Sequence, residues 1–95
     1  MIKYIIEARK YFDRVNGNTY HAVRITDTKT KTTIAKSTPL VYGYGDAYRQ
    51  TAYNLLLKAG LVKEDDRHNH DLNRERFYYT VSDNHPQREL KELVL

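Results

Sequence analysis

Val41-Tyr42-Gly43-Tyr44-Gly45-Asp46, running into Ala47-Tyr48-Arg49-Gln50-Thr51-Ala52-Tyr53-Asn54-Leu55-Leu56-Leu57-Lys58-Ala59-Gly60, decides the fold of this chain. It reads as an extended segment, a corner at two glycines, and a helix. Tyr48, Thr51, Ala52, Leu55, Leu56 and Ala59 recur at helical spacing and give that helix one apolar face. Asp46 stands where a carboxylate accepts from an orphan amide of the first turn and favours the dipole. Gly60 supplies the residue beyond the last turn, with Leu61 ready for the apolar contact that accompanies such an end. The spacing predicts a helix over 46–59.

Everything upstream reads as sheet that needs this helix as a cover. Residues 2–12 alternate, with Ile2, Tyr4, Ile6 and Ala8 on one face and Lys3, Ile5, Glu7 and Arg9 on the other. Asn16-Gly17 is a hairpin signal, because a two-residue turn of the favoured hand needs positive φ at both positions. A second strand follows over 19–26, with His21, Val23 and Ile25 towards the core and Tyr20, Ala22, Arg24 and Thr26 away from it. A polar turn at 27–32 leads to a third strand over 33–36, antiparallel to the second. Pro39 cannot donate to a ladder and marks a strand end.

Downstream of the helix, residues 63–75 hold one aliphatic side chain in thirteen and read as a loop. Arg76-Phe77-Tyr78-Tyr79-Thr80-Val81 has the aromatic and β-branched content of a fourth strand. Pro86 fits the first turn of a short terminal helix, 86–94, carrying Leu90, Leu93 and Val94. The expected fold is α+β: a small antiparallel four-stranded sheet with its helices on one face, in the order βββ-α-β-α. At 95 residues the chain is one domain, 1–95, with one small core.

Composition narrows the function. With no cysteine, disulfides and thiolate metal sites are excluded. No apolar run reaches the ~20 residues of a membrane span, and no secretory signal opens the sequence, so a cytoplasmic setting is expected. Charge is divided: residues 1–62 hold ten Lys/Arg against four acids, residues 63–95 six against eight. Nine tyrosines add flat, amphipathic surface suited to interfaces and to stacking on bases.

Two surfaces stand out as candidates. Arg9, Tyr11, Arg14, Tyr20, Arg24, Lys29 and Lys31 form one basic-aromatic face if the first strands pair as drawn, able to hold phosphates or dock on an acidic protein. Glu64, Asp65, Asp66 and Asp71 form an acidic loop that would mimic phosphates towards a nucleic-acid-binding partner. His68-x-His70 beside these acids has metal-ligand chemistry but lies in a segment with few anchors, so no metal or other cofactor is expected. Gly43-x-Gly45 lacks both the third glycine of a dinucleotide fingerprint and the Lys-Ser/Thr of a phosphate loop. Neither Ser37 nor Ser82 lies in a nucleophile motif, and no enzyme is expected.

The run Tyr11-Phe12-Asp13-x-Val15-Asn16-Gly17-Asn18-Thr19-Tyr20-His21-x-Val23-Arg24-Ile25, with Val41-Tyr42-Gly43-Tyr44-Gly45-Asp46-x-Tyr48 and the Thr-Ala-x-x-x-Leu-Leu helix, resembles a family of short hypothetical proteins from bacteriophage genomes. The resemblance covers residues 2–60 and leaves 63–95 as this chain's own extension. It brings no catalytic residues and implies a setting: a phage accessory protein in a bacterial cytoplasm. The expected function is non-enzymatic binding and inhibition of a host nucleic-acid-handling complex, as an anti-CRISPR protein would act. Direct DNA or RNA binding in phage replication or transcription is the alternative. An exposed edge at the third or fourth strand would also admit a homodimer.

Overall fold

A computed structural model describes all residues 1–95. Ten-residue strands β1 (Tyr4–Asp13) and β2 (Asn18–Asp27) pair antiparallel over their whole length, Tyr4 opposite Asp27 and Asp13 opposite Asn18. The loop between them has four residues rather than two. The Asp13 carboxylate accepts from the amides of Val15 and Asn16, and the Gly17 N–H donates to the Asp13 carbonyl. Asp27 builds the next turn the same way: its carboxylate accepts from Lys29 and Thr30, and the Lys31 N–H returns to its carbonyl. An aspartate at the end of each strand thus sets both loops, because its short side chain caps the amides that the turn leaves free.

β3 (Thr32–Lys36) and the two-residue β4 (Val41–Tyr42) share the outer edge of β2, antiparallel to it. The register of β3 slips by one at Ile34, a bulge. On the other side of the sheet lies β5 (Phe77–Ser82), giving the order β3-β2-β1-β5. β5 runs parallel to β1, with Tyr4 beside Phe77 and Arg9 beside Ser82, so the sheet is mixed where antiparallel pairing throughout was expected. The sense of a strand depends on which end of the sheet its connection reaches, and strand composition does not encode that.

α1 (Ala47–Lys58) covers the face expected of it. Tyr48, Ala52, Tyr53 and Leu56 meet Tyr4, Ile6, Ala8, Val23, Ile25 and Phe77 in the main core. Ile6, Ile25 and Leu56 are wholly buried, each contributing ~1.5–3 kcal/mol by removal from water. At the helix C-terminus, Leu61 N–H donates to Leu56 and Gly60 N–H to Leu57, the paired bonds of a Schellman end. Asp46 precedes the helix, yet its carboxylate makes no capping bond.

Two departures concern the second half. The segment expected as loop contains a 3₁₀ turn (Glu64–Asp66) and a helix, α2 (His70–Arg76). Polar side chains do there what an apolar face does in α1. The Asn69 side chain accepts from Leu72 N–H at 3.1 Å, and Asn73 donates to the carbonyls of Asp66 and Arg67. The terminal helix, α3 (Gln87–Leu93), packs on the opposite face from α1, so the helices do not share one face. Leu90 and Leu93 bury Ala22 between them, and Tyr11 and Tyr20 pack against this second, smaller core. Ala22 is the cause: a methyl group in mid-strand leaves room for a helix where a larger side chain would hold it off.

His21 is buried between β2 and α1. Nδ1 lies 3.2 Å from the Gly43 carbonyl and Nε2 2.7 Å from the Thr51 hydroxyl. The carbonyl can only accept, so Nδ1 carries the proton and Nε2 accepts from Thr51. Burial pushes the imidazole below its ordinary pKa, the Gly43 bond opposes that, and Lys10 reinforces it. Below about pH 6.5 the unfolded chain therefore takes up a proton that the folded chain resists. The stability gained from neutral His21 is complete above that value and is lost as pH falls towards the lowered one. Urea unfolding between pH 8 and 5.5 should show a falling midpoint, with a flatter profile for His21→Gln. Parallel profiles would refute this role for His21.

Candidate nucleic-acid interface

An open cleft of about 730 Å³ lies between α1, the 3₁₀ turn with α2, and the start of β5. Its floor is aromatic and its walls are cationic. From α1, Arg49 lays its guanidinium 4.4 Å over the Tyr79 ring, and its Nε donates to the Tyr48 hydroxyl. Behind the 3₁₀ turn, Arg67 lies 4.9 Å over Tyr53 and grips Glu64 with two bonds, of 2.9 and 3.0 Å. Beside the cleft and outside its lining, at the end of α2, Arg76 stacks over Phe77 and donates to Asn73. Arg74 and His70 of α2, with His68 just before it, are exposed along the cleft wall.

These arginines differ in what is left to bind. Arg67 is neutralised: its bonds keep the Glu64 carboxyl below the ordinary range, and a third bond goes to Asn54 at 2.7 Å. Arg49 and Arg74 have no carboxylate within ion-pair distance. Stacking holds the Arg49 plane in place and Nε is spent on Tyr48, while the terminal nitrogens keep their donors, since a ring orients a guanidinium without occupying them. Asp46 stands at one end of the cleft and supplies its only unpaired carboxylate. The tyrosine floor is fixed in turn, because the Tyr53 hydroxyl donates to the Lys63 carbonyl and ties the connecting segment to α1.

The two surfaces expected from the sequence do not form as expected. Arg14 lies in the β1–β2 loop, and Lys29 and Lys31 lie in the β2–β3 loop, at opposite ends of a ten-residue strand pair. That separates them by roughly 30 Å. Arg9 donates to the Glu89 carbonyl of α3 at 2.8 Å. Arg24 grips Glu7 with bonds of 2.8 and 3.0 Å, and its Nε is buried without a partner. Tyr11 and Tyr20 stack at 6.3 Å against α3. The strand residues of this set therefore hold the second core together. In the acidic loop, Glu64 is committed to Arg67, Asp66 accepts through its carbonyl from Asn69 and Asn73, and Asp65 and Asp71 are exposed singly. No group of three or more His, Cys, Asp or Glu side chains is arranged to hold a metal ion. No helix is long and apolar enough to cross a membrane.

Sequence reasoning passed over Arg49, Arg67 and Arg74. The available signal was residue type: Tyr48-Arg49 and Arg76-Phe77 set arginine, which stacks, directly beside aromatic residues. No family model, curated protein or solved structure matches the chain.

Proposed function

We propose that this chain binds nucleic acid through the α1–α2 cleft, with single strands preferred over duplex. Arg49 and Arg74 take phosphates, and the guanidinium planes and exposed imidazoles offer stacking surfaces to unpaired bases. The observation that carries the reading is the pair of free arginines facing one cleft whose third arginine is already neutralised. The resemblance to short phage proteins supplies the setting, a bacterial cytoplasm. In that setting an accessory protein inhibits a host nucleic-acid-handling complex of the CRISPR type by occupying its guide or target strand. A role in phage replication or transcription would use the same cleft. Mimicry of phosphates by the acidic segment has less support, because Glu64 is committed to Arg67.

Fluorescence anisotropy with labelled single-stranded DNA, RNA and duplex DNA tests the reading. Micromolar or tighter single-strand binding is expected, falling at least about tenfold from roughly 50 to 200 mM salt as counterions are released. Absence of binding at both salts would end the nucleic-acid reading and leave inhibition through a protein contact.

A further inference from the structure

Three side chains outside the cleft are joined in a line. Ser82 closes β5 and is exposed. Asn84, at φ 61, folds the chain back, and the His85 N–H donates to the Lys10 carbonyl at 3.0 Å, which pins this turn to β1. Pro86 then starts α3, and Glu89 lies one helical turn beyond His85. As a result the Ser82 hydroxyl is 2.6 Å from His85 Nε2, and His85 Nδ1 is 2.7 Å from a Glu89 carboxylate oxygen. An ionised carboxylate can only accept, so Nδ1 carries the proton, and in the neutral imidazole Nε2 is the base facing the hydroxyl. Glu89 is held in that ionised form: its bond to His85 keeps the carboxyl below the ordinary range, and Arg88 and Arg9 add to this. Arg9 also fixes the helix that carries Glu89, through its bond to the Glu89 carbonyl.

From this geometry we infer that Ser82 is a nucleophile activated by His85, with Glu89 as the positioning residue, and that it takes small activated acyl donors. Hydroxyl, imidazole and carboxylate stand in the order and at the spacing of a serine-hydrolase triad, which is recognised by geometry and roles rather than by sequence position. Ser82 Oγ attacks the carbonyl carbon and gives its proton to Nε2. The bond to the leaving oxygen breaks, that oxygen takes the proton from Nε2, and an acyl-Ser82 ester and an alcohol result. Water then attacks the ester with Nε2 again as base, releasing the carboxylic acid and returning the proton to Oγ. The α1–α2 cleft does not reach Ser82, and the hydroxyl is exposed, which suits a small acyl donor. The site is independent of the nucleic-acid reading.

The test is labelling of the full chain with a fluorophosphonate, which forms an Oγ–P bond and expels fluoride, followed by peptide mass mapping. One adduct is expected, on Ser82. Ser82→Ala should abolish it. His85→Gln, and Glu89→Gln, should slow it at least about tenfold, the low side of what a positioned general base contributes. Circular dichroism of each variant separates loss of reactivity from loss of fold. Absence of an adduct, equal labelling of Ser37, or a wild-type rate in folded His85→Gln would overturn the inference and leave the three residues as a strap for α3.

Discussion

Gly43→Ala will destabilise the domain by about 3 kcal/mol or more, through two costs that add. An alanine there must adopt φ 152, a region close to glycine-only, at roughly 1–3 kcal/mol. Its methyl carbon would lie 2.7 Å from the Ala47 methyl and 3.3 Å from His21 Cε1. Neither neighbour can yield cheaply, since Ala47 begins α1 and His21 is held at both ring nitrogens. Such overpacking costs about 1–3 kcal/mol more. Gly45→Ala is the matched control: φ is 61 there, but nothing lies within 4 Å of the added carbon, so only the backbone term of about 1–2 kcal/mol applies. Urea unfolding of the two variants should separate them clearly. Equal losses would mean that α1 moves away from the corner at no cost, and that the seat of the helix is not set by Gly43.

Neutralising Arg49 and Arg74 together, as Arg49→Gln with Arg74→Gln, will remove most nucleic-acid binding while the chain stays folded. Arg74 is exposed and unpaired, and loss of the Arg49 contacts to Tyr79 and Tyr48 should cost about 1–2 kcal/mol, which leaves the fold intact. A charge-assisted contact to phosphate is worth about 1.5–3 kcal/mol, or between tenfold and a hundredfold in affinity for each arginine. The slope of log affinity against log salt should fall by about 1.4 for a single strand, as two phosphate contacts disappear. Arg14→Gln with Lys29→Gln is the comparison, because those loops lie at opposite ends of the strand pair and face no common ligand. If this second pair lowers affinity as much as the first, binding is diffuse surface attraction and the cleft has no special part in it.

The helix around Leu55 and Leu56 was legible because two local signals agreed, an apolar stripe and a glycine end, and both act within one helical turn. The first strands were legible from alternation, with His21, Val23 and Ile25 correctly placed on the core face. What failed was what depends on distant partners. α2 escaped notice because Asn69 and Asn73 organise it through hydrogen bonds, which leave no hydrophobic period. The side of the sheet taken by α3 turned on one small residue, Ala22. The proposed basic face failed for a related reason. Strand alternation places Arg9 and Arg24 on one face correctly, but it does not reveal that α3 and Glu7 claim their donors first. The cleft arginines come from three separate segments, and only the folded chain brings them together.

The parallel pairing of β5 with β1 also orders events in time. β1 and β2 are neighbours in sequence and need only a four-residue loop to meet. β1 acquires its other neighbour from residues 77–82, after most of the chain has been made. During synthesis, then, β1 is an open edge with its hydrogen-bonding groups bare, and the main core lacks Phe77. A ribosome that pauses before this point would hold out a hairpin able to pair with another chain. The same topology makes the final closure a long-range event, the slow kind in folding, so the last third of the sequence governs how quickly the first strand becomes safe.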